Sequence, residues 1–304
     1  EDNSKVTAWS YDIKSHKTQQ LQVPMDEDGY MPRILPTENP EKILVYTMNR
    51  HQDVLNLYTV NPRSTLSQLL IKESVAKYVK EEAMEAIRIG KDYILMPSDR
   101  DGYMHLYLYS QNGKLLRKIG DGKYDITKVY GYDEKTGDVY YQAAPLNPHD
   151  RQIMVTRKNG KTVRLTNQEG WNEAIFSGDC KYFVNTWSDI NNPYVYTTRN
   201  NQGKVIATNL DNKELQAKTQ QYGWTKNEMF SFTTSEGVKL DGWMVKPANF
   251  DPNKKYPVIM FQYSGPGSQQ VVNSWNAGSM GQGCAYDQYL AQQGFIVVCV
   301  DGRG

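Results

Sequence analysis

Apolar and polar residues alternate along most of the first two-thirds of the chain, and a period near two predicts half-buried β-strands rather than helices. The clearest stretch is KDYILMPSDRDGYMHLYLYSQNGKLLRKI, residues 91–119: an apolar strand, a polar loop, a Tyr-rich alternating strand, a turn at Asn112-Gly113 and a further strand. Asn-Gly favours a type I′ hairpin turn, in which both central residues need positive φ. The same order returns in residues 42–62, 137–166 and 181–209. A spacing of roughly 40 to 50 residues is the period of β-propeller blades. Each copy carries a polar loop in register: Asn49-Arg50-His51, Ser98-Asp99-Arg100-Asp101, Leu146-Asn147-Pro148-His149 and Ser188-Asp189-Ile190-Asn191. We therefore expect a mainly β fold, a partial β-propeller of about four blades with four antiparallel strands each. Residues 6–23 read as the last strands of a preceding blade, so the ring is incomplete. One helix is expected within residues 72–86, where Glu81, Glu82 and Glu85 read as a solvated face rather than a metal or amine site.

Beyond residue 210 the pattern changes. Residues 211–222 look helical or linker-like, and residues 228–247 predict a hairpin turning at Glu236-Gly237. Two runs, Val258 to Phe261 and Phe295 to Val300, are apolar on both faces, which points to parallel strands in a sheet covered on both sides. Between them CAYDQYLAQQG, residues 284–294, has the composition of a helix capped by Gly294. Strand, helix and strand make one βαβ unit. The expected division is residues 1–215 as the C-terminal part of a propeller and 216–304 as the N-terminal part of an α/β-hydrolase domain.

Composition removes several function classes. Among 304 residues, 35 Lys and Arg stand against 34 Asp and Glu without any long like-charge run, so no nucleic-acid groove or acidic tail is expected. Tyr occurs 22 times against 7 Phe, a bias that suits half-exposed β-structure. Cys180, Cys284 and Cys299 are too far apart for a compact zinc site, and their odd number leaves at least one unpaired. Cys299, inside FIVVCVD, reads as a buried free thiol. No stretch approaches the ~18 apolar residues of a membrane span. The chain begins at Glu1 and stops at Asp301-Gly302-Arg303-Gly304, just after an apolar strand, and we read it as a processed or truncated piece.

The candidate chemistry lies in the last segment. No Gly-x-Ser-x-Gly occurs; Gly267-Ser268 and Gly278-Ser279 lack the flanking pattern of a nucleophile elbow. His16, His51, His105 and His149 all fall in the blade region without metal-ligand spacing, and read as surface or strand histidines. The stretch KKYPVIMFQYSGPGSQQ, residues 254–270, resembles the part of the prolyl oligopeptidase family in which a strand ends in Tyr-x-Gly-Pro. VDGRG at 300–304 resembles that family's next strand end, and GWMVKP at 242–247 and DGYMHLYLY at 101–109 match its typical wording. The likeness is strongest to its dipeptidyl peptidase branch and covers essentially the whole chain.

The resemblance implies a serine exopeptidase that releases Xaa-Pro or Xaa-Ala dipeptides from peptide N-termini through an acyl-enzyme. It implies that Tyr263 donates its hydroxyl to the oxyanion of the tetrahedral intermediate, with Gly265 and Pro266 shaping the turn that aims the ring. In this fold the nucleophile, acid and base follow the strands present here, so the triad and the acidic pair that anchors the substrate amine are expected outside this chain, which alone should be inert. No metal or organic cofactor is implied. The expected partners are peptide substrates and a second copy in a homodimer, in an extracytoplasmic setting, with membrane association only through other segments. Rival readings are a tripeptidyl or acylaminoacyl peptidase of the same fold, or a non-catalytic protein-binding homologue.

Overall fold

A computed structural model describes residues 4–80, 82–263, 265, 267–279 and 283–303. The chain divides into two compact units, Glu1–Ile126 and Thr127–Gly304. In the first, a two-stranded hairpin of β1 (Trp9–Asp12) and β2 (Lys17–Gln20) precedes two four-stranded sheets. One comprises β3 (Ile34–Pro36), β4 (Ile43–Met48), β5 (Val54–Val60) and β6 (Ser67–Ser74). After the short helix α1 (Glu82–Glu85), the other comprises β7 (Arg88–Ile89), β8 (Tyr93–Ser98), β9 (His105–Ser110) and β10 (Leu115–Ile119). The second unit repeats the plan with β11 (Ile126–Asp133), β12 (Asp138–Ala143), β13 (Gln152–Thr156) and β14 (Thr162–Arg164). It repeats it again with β15 (Trp171–Phe176), β16 (Tyr182–Ser188), β17 (Val195–Asn200) and β18 (Val205–Leu210). In all four sheets the strands are neighbours in chain order, the meander of a propeller blade.

Alternation explains why the central strands stay put. In β4, Leu44, Tyr46 and Met48 join one buried cluster while Val45, on the opposite face, joins another. A slip by one residue would exchange the two sets, so the register is firmly specified. In the second unit, Tyr140, Ile153, Val155, Leu165 and Phe183 form the corresponding core, with Phe176 stacked on Phe183 at 4.7 Å between ring centroids.

In three of the four sheets the hairpins between third and fourth strands share one turn, which differs from the expected type I′; the β5–β6 hairpin turns instead through Asn61 and Thr65, where Thr65 N donates to Asn61 O at 2.9 Å. Gly113 N donates to Ser110 O, and Ser110 N to Lys114 O, at 3.0 and 2.9 Å. Gly160 repeats this with Arg157 and Lys161, and Gly203 with Asn200 and Lys204. Each glycine has positive φ, whereas Asn112 does not. This is a type I turn closed by a left-handed bulge residue, which needs glycine at one position rather than two.

The helix expected within residues 72–86 is mostly absent. Its start lies in β6, where Ser74 pairs with Val54 and Glu73 with Leu55, and only Glu82–Glu85 is helical. Strand pairing has overridden the local helix preference of an Ala-, Glu- and Lys-rich stretch. Glu81 lies outside the described residues; Glu85 is exposed and pairs with Arg33 at 2.8 Å.

After the blades come α2 (Lys213–Gln221), β19 (Asn227–Thr233), β20 (Lys239–Val245), β21 (Val258–Phe261), α3 (Cys284–Gln292) and β22 (Ile296–Val300). Their sheet runs β19-β20-β22-β21, antiparallel except for the parallel pair β21–β22 that α3 connects. Gly294 follows α3 with φ 92° and donates to Ala291 O, as a helix-ending glycine should. Trp243, Val245, Val297 and Cys299 fill the core of this sheet. β21 departs from expectation. Val258 and Met260 are 59% and 57% exposed, so one face of this strand is bare among the described residues. All three cysteines are buried and free; burial pushes the thiols of Cys284 and Cys299 up to about 11 and about 12. No described helix is long and apolar enough to cross a membrane.

His105 is buried in β9, with Nε2 3.0 Å from Gly122 O. Burial holds its pKa below the usual 6.5. The unfolded chain therefore takes up the proton first, so this contribution to stability is complete above that value and is lost as the pH falls. Between about pH 7 and pH 5 the thermal midpoint should drop more for the wild type than for His105→Gln, which keeps a donor but cannot titrate. Equal slopes would remove His105 from the acid response.

Candidate active site

The parallel pair β21–β22 sets the frame, with Val258 opposite Ile296 and Phe261 opposite Cys299. Parallel strands end at the same edge of a sheet, so the segments that follow them meet there. Tyr263 comes two residues after β21 and is 59% exposed. Its ring lies over Gly265: a Cβ on that glycine would stand 3.2 Å from a ring carbon and 3.4 Å from the hydroxyl oxygen. Any side chain at 265 would crowd the phenol, which explains a glycine here. Ser268 closes the turn, its hydroxyl donating to Gly265 O at 2.8 Å and Tyr263 O at 3.1 Å. Ser264 and Pro266 lie outside the described residues.

Asp301, directly after β22, fixes the next part of the loop. Its two carboxylate oxygens accept the amides of Gln270 and Val271 at 2.8 and 2.9 Å. Trp243, 2% exposed, donates its indole N–H to Gln270 O at 3.4 Å. Two backbone amides held by one carboxylate and a carbonyl tied to a buried indole leave this stretch little freedom.

Blade loops grip the same stretch. Asn273 donates its backbone N–H to His149 O and its side-chain amide to Asp150 Oδ1, both at 2.9 Å. Asn273 Oδ1 in turn accepts Ile190 N at 3.0 Å. Arg151 and Gln269 join at 2.7 Å. Gln269 and Asp301 fall inside the resembling stretches 254–270 and 300–304, which assign them no part, and Asp150, Arg151 and Asn273 carry no sequence signal of their own. His149 and Ile190 belong to the polar loops at 146–149 and 188–191, whose repetition in register gives no sign of this contact.

Other candidates separate from this place. Ser279 is 2% exposed with its N–H bound to Asp287 Oδ2 at 2.9 Å, so Gly278-Ser279 is structural. Burial raises the Asp287 carboxyl, an effect opposed by that hydrogen bond. A cavity of about 690 Å³ lies between residues 189–192, α2 and α3. Its polar walls are largely bonded to one another, as in Gln216 to Asn192 and Thr225 to Gln288, and Trp224 stacks on Trp275 at 5.3 Å. It is a polar joint, and Tyr263 is not part of it. Among the described residues no group of three His, Cys, Asp or Glu could hold a metal ion.

Repeated four-stranded blades running into a mixed sheet, with a tyrosine-bearing loop at its parallel strand ends, define a protein that joins propeller blades to the start of a mixed sheet. The family described as dipeptidyl peptidase IV (DPP IV) N-terminal region matches residues 1–194, and the chain belongs to it. Dipeptidyl peptidase 4 of Trichophyton rubrum is 28% identical over 220 residues, 71% of this chain and 28% of its own length. The crystal structure of Porphyromonas gingivalis dipeptidyl peptidase 4 superimposes with a TM-score of 0.91 and 35% identity, over 99% of this chain and 42% of that one. A putative dipeptidyl aminopeptidase IV from Bacteroides ovatus shares the fold, at a TM-score of 0.82 and 23% identity, over 96% of this chain and 44% of that one. The chain thus spans less than half the length of these relatives.

Proposed function

We propose that this chain is part of a serine peptidase that removes dipeptides from free peptide N-termini, with Pro or Ala at the second position. Residues 216–304 begin its α/β-hydrolase domain, and the serine, aspartate and histidine of the triad lie in parts of the protein beyond these residues. The observation that carries this reading is the placement of Tyr263 just past β21, at the end of a strand paired in parallel with β22. There a phenol can meet the carbonyl oxygen of a scissile bond as it becomes charged. The names of the relatives support the substrate class. The propeller restricts access by size and holds the amine anchor in a part outside this chain; the intact protein is a homodimer working outside the cytoplasm.

The test uses the full-length protein with Gly-Pro-p-nitroanilide and its N-acetylated form. Cleavage of the first only is expected, because the anchor needs a free ammonium. Equal or better cleavage of the acetylated form would replace this reading with an acylaminoacyl peptidase.

A further inference from the structure

We propose that Gln269, held by Arg151, is a positioning residue for Tyr263: a blade-borne clamp that sets where the phenol points. This rests on the oxyanion role proposed for Tyr263. Gln269 follows directly on the Ser268-closed turn that carries Tyr263, and its side-chain amide is bonded at both ends. Its Oε1 accepts Arg151 Nη2 at 2.7 Å, and its Nε2 donates to Pro148 O at 2.7 Å and to Val271 O at 3.2 Å. A primary amide that satisfies donors and acceptors of another segment at once has one orientation only.

The jaw that grips it is rigid in its own right. Arg151 is 7% exposed, its guanidinium lying over the Trp171 ring at 4.4 Å from the centroid. Its Nη1 donates to Pro148 O and Asp150 O, each at 2.8 Å. Asp150, 1% exposed, accepts Asn147 Nδ2 at 2.7 Å and Gly170 N at 3.2 Å while also holding Asn273. The loop at 147–151 is thus ordered by the blade and seizes the Tyr263 segment on either side of the two amides that Asp301 binds. A buried arginine spending its fork on a loop amide of the mixed sheet exceeds what blade packing requires. An oxyanion donor needs such support, since misplacement by about 1 Å costs on the order of 100-fold in rate.

The experiment compares Gln269→Ala, Tyr263→Phe and the double variant in the full-length protein, with active sites titrated by a serine-directed reagent. Gln269→Ala leaves Arg151 its two carbonyl partners, whereas losing Arg151 endangers folding. It should lower kcat per titrated site by about 10–100-fold with little change in KM. Added to Tyr263→Phe it should cost nothing more, because the clamp acts only through the phenol. Unchanged kcat for Gln269→Ala, or losses that multiply in the double variant, would overturn the clamp. If Tyr263→Phe itself leaves kcat intact, the oxyanion reading fails instead. The clamp is then judged by hydrogen exchange: the Gln270 and Val271 amides should exchange at least about tenfold faster in Gln269→Ala, and unchanged protection would sink it.

Discussion

Replacing Tyr263 by phenylalanine should lower kcat of the full-length protein toward Gly-Pro-p-nitroanilide by about 10²–10³-fold, with KM nearly unchanged. Phenylalanine keeps the ring that lies over Gly265 and removes only the hydroxyl. The loss therefore reports the hydrogen bond and not the packing. A donor aimed at the tetrahedral oxygen interacts weakly with the planar carbonyl of the bound substrate, so the effect falls on the transition state. The size corresponds to about 3–4 kcal/mol for one donor. A steady-state comparison with unchanged kcat, or a loss confined to KM, would take the phenol out of the chemistry.

The second large effect is on stability. Glu73 is 3% exposed, and one of its oxygens accepts the Ser98 hydroxyl while the other pairs with Arg100. Arg100 also donates to Ser98 Oγ at 3.0 Å and Tyr109 OH at 2.8 Å, and its guanidinium lies 4.2 Å from the centroid of the Tyr107 ring. Arg100→Met should destabilise Glu1–Ile126 by about 3 kcal/mol, because it strands a buried carboxylate. That is the lower end of the range for broken buried pairs, since the arginine itself is 29% exposed and partly hydrated. Adding Glu73→Gln should recover much of the loss by removing the stranded charge. Hydrogen exchange of the β8 and β9 amides reads this locally. A cost below about 1 kcal/mol, or no recovery in the double variant, would reduce the pair to the status of a surface ion pair.

The blades were legible because each uses local signals: period-two alternation and, in three of the four, a glycine where the third and fourth strands turn. The turn type was not. Asn112-Gly113 names a residue pair, but the hydrogen bonds Ser110 makes with Gly113 and Lys114 decide the geometry. Residues 72–74 misled because helix preference is a property of neighbours, whereas β6 exists through Val54 and Leu55 of β5. The βαβ element could be read from Val258–Phe261, Gly294 and the run ending at Val300. The bare face of Val258 and Met260 could not, since apolarity does not say which sides are covered. Tyr263 is singled out by a family wording that also spans Gln269 and Asp301 but assigns them no part. Arg151, Gln269, Asn273 and Asp301 come together from three separate parts of the chain, and single polar residues without period leave no pattern to find.

The order β19-β20-β22-β21 has a consequence for synthesis. β21 leaves the ribosome before β22, yet β22 is its hydrogen-bonding neighbour and lies between it and β20. Until residue 296 has emerged, Val258 to Phe261 must wait unpaired, for a few seconds at about 5–20 residues per second. An apolar strand kept waiting is an invitation to the wrong partner, and a nascent chain at this stage is the natural client of a holding chaperone.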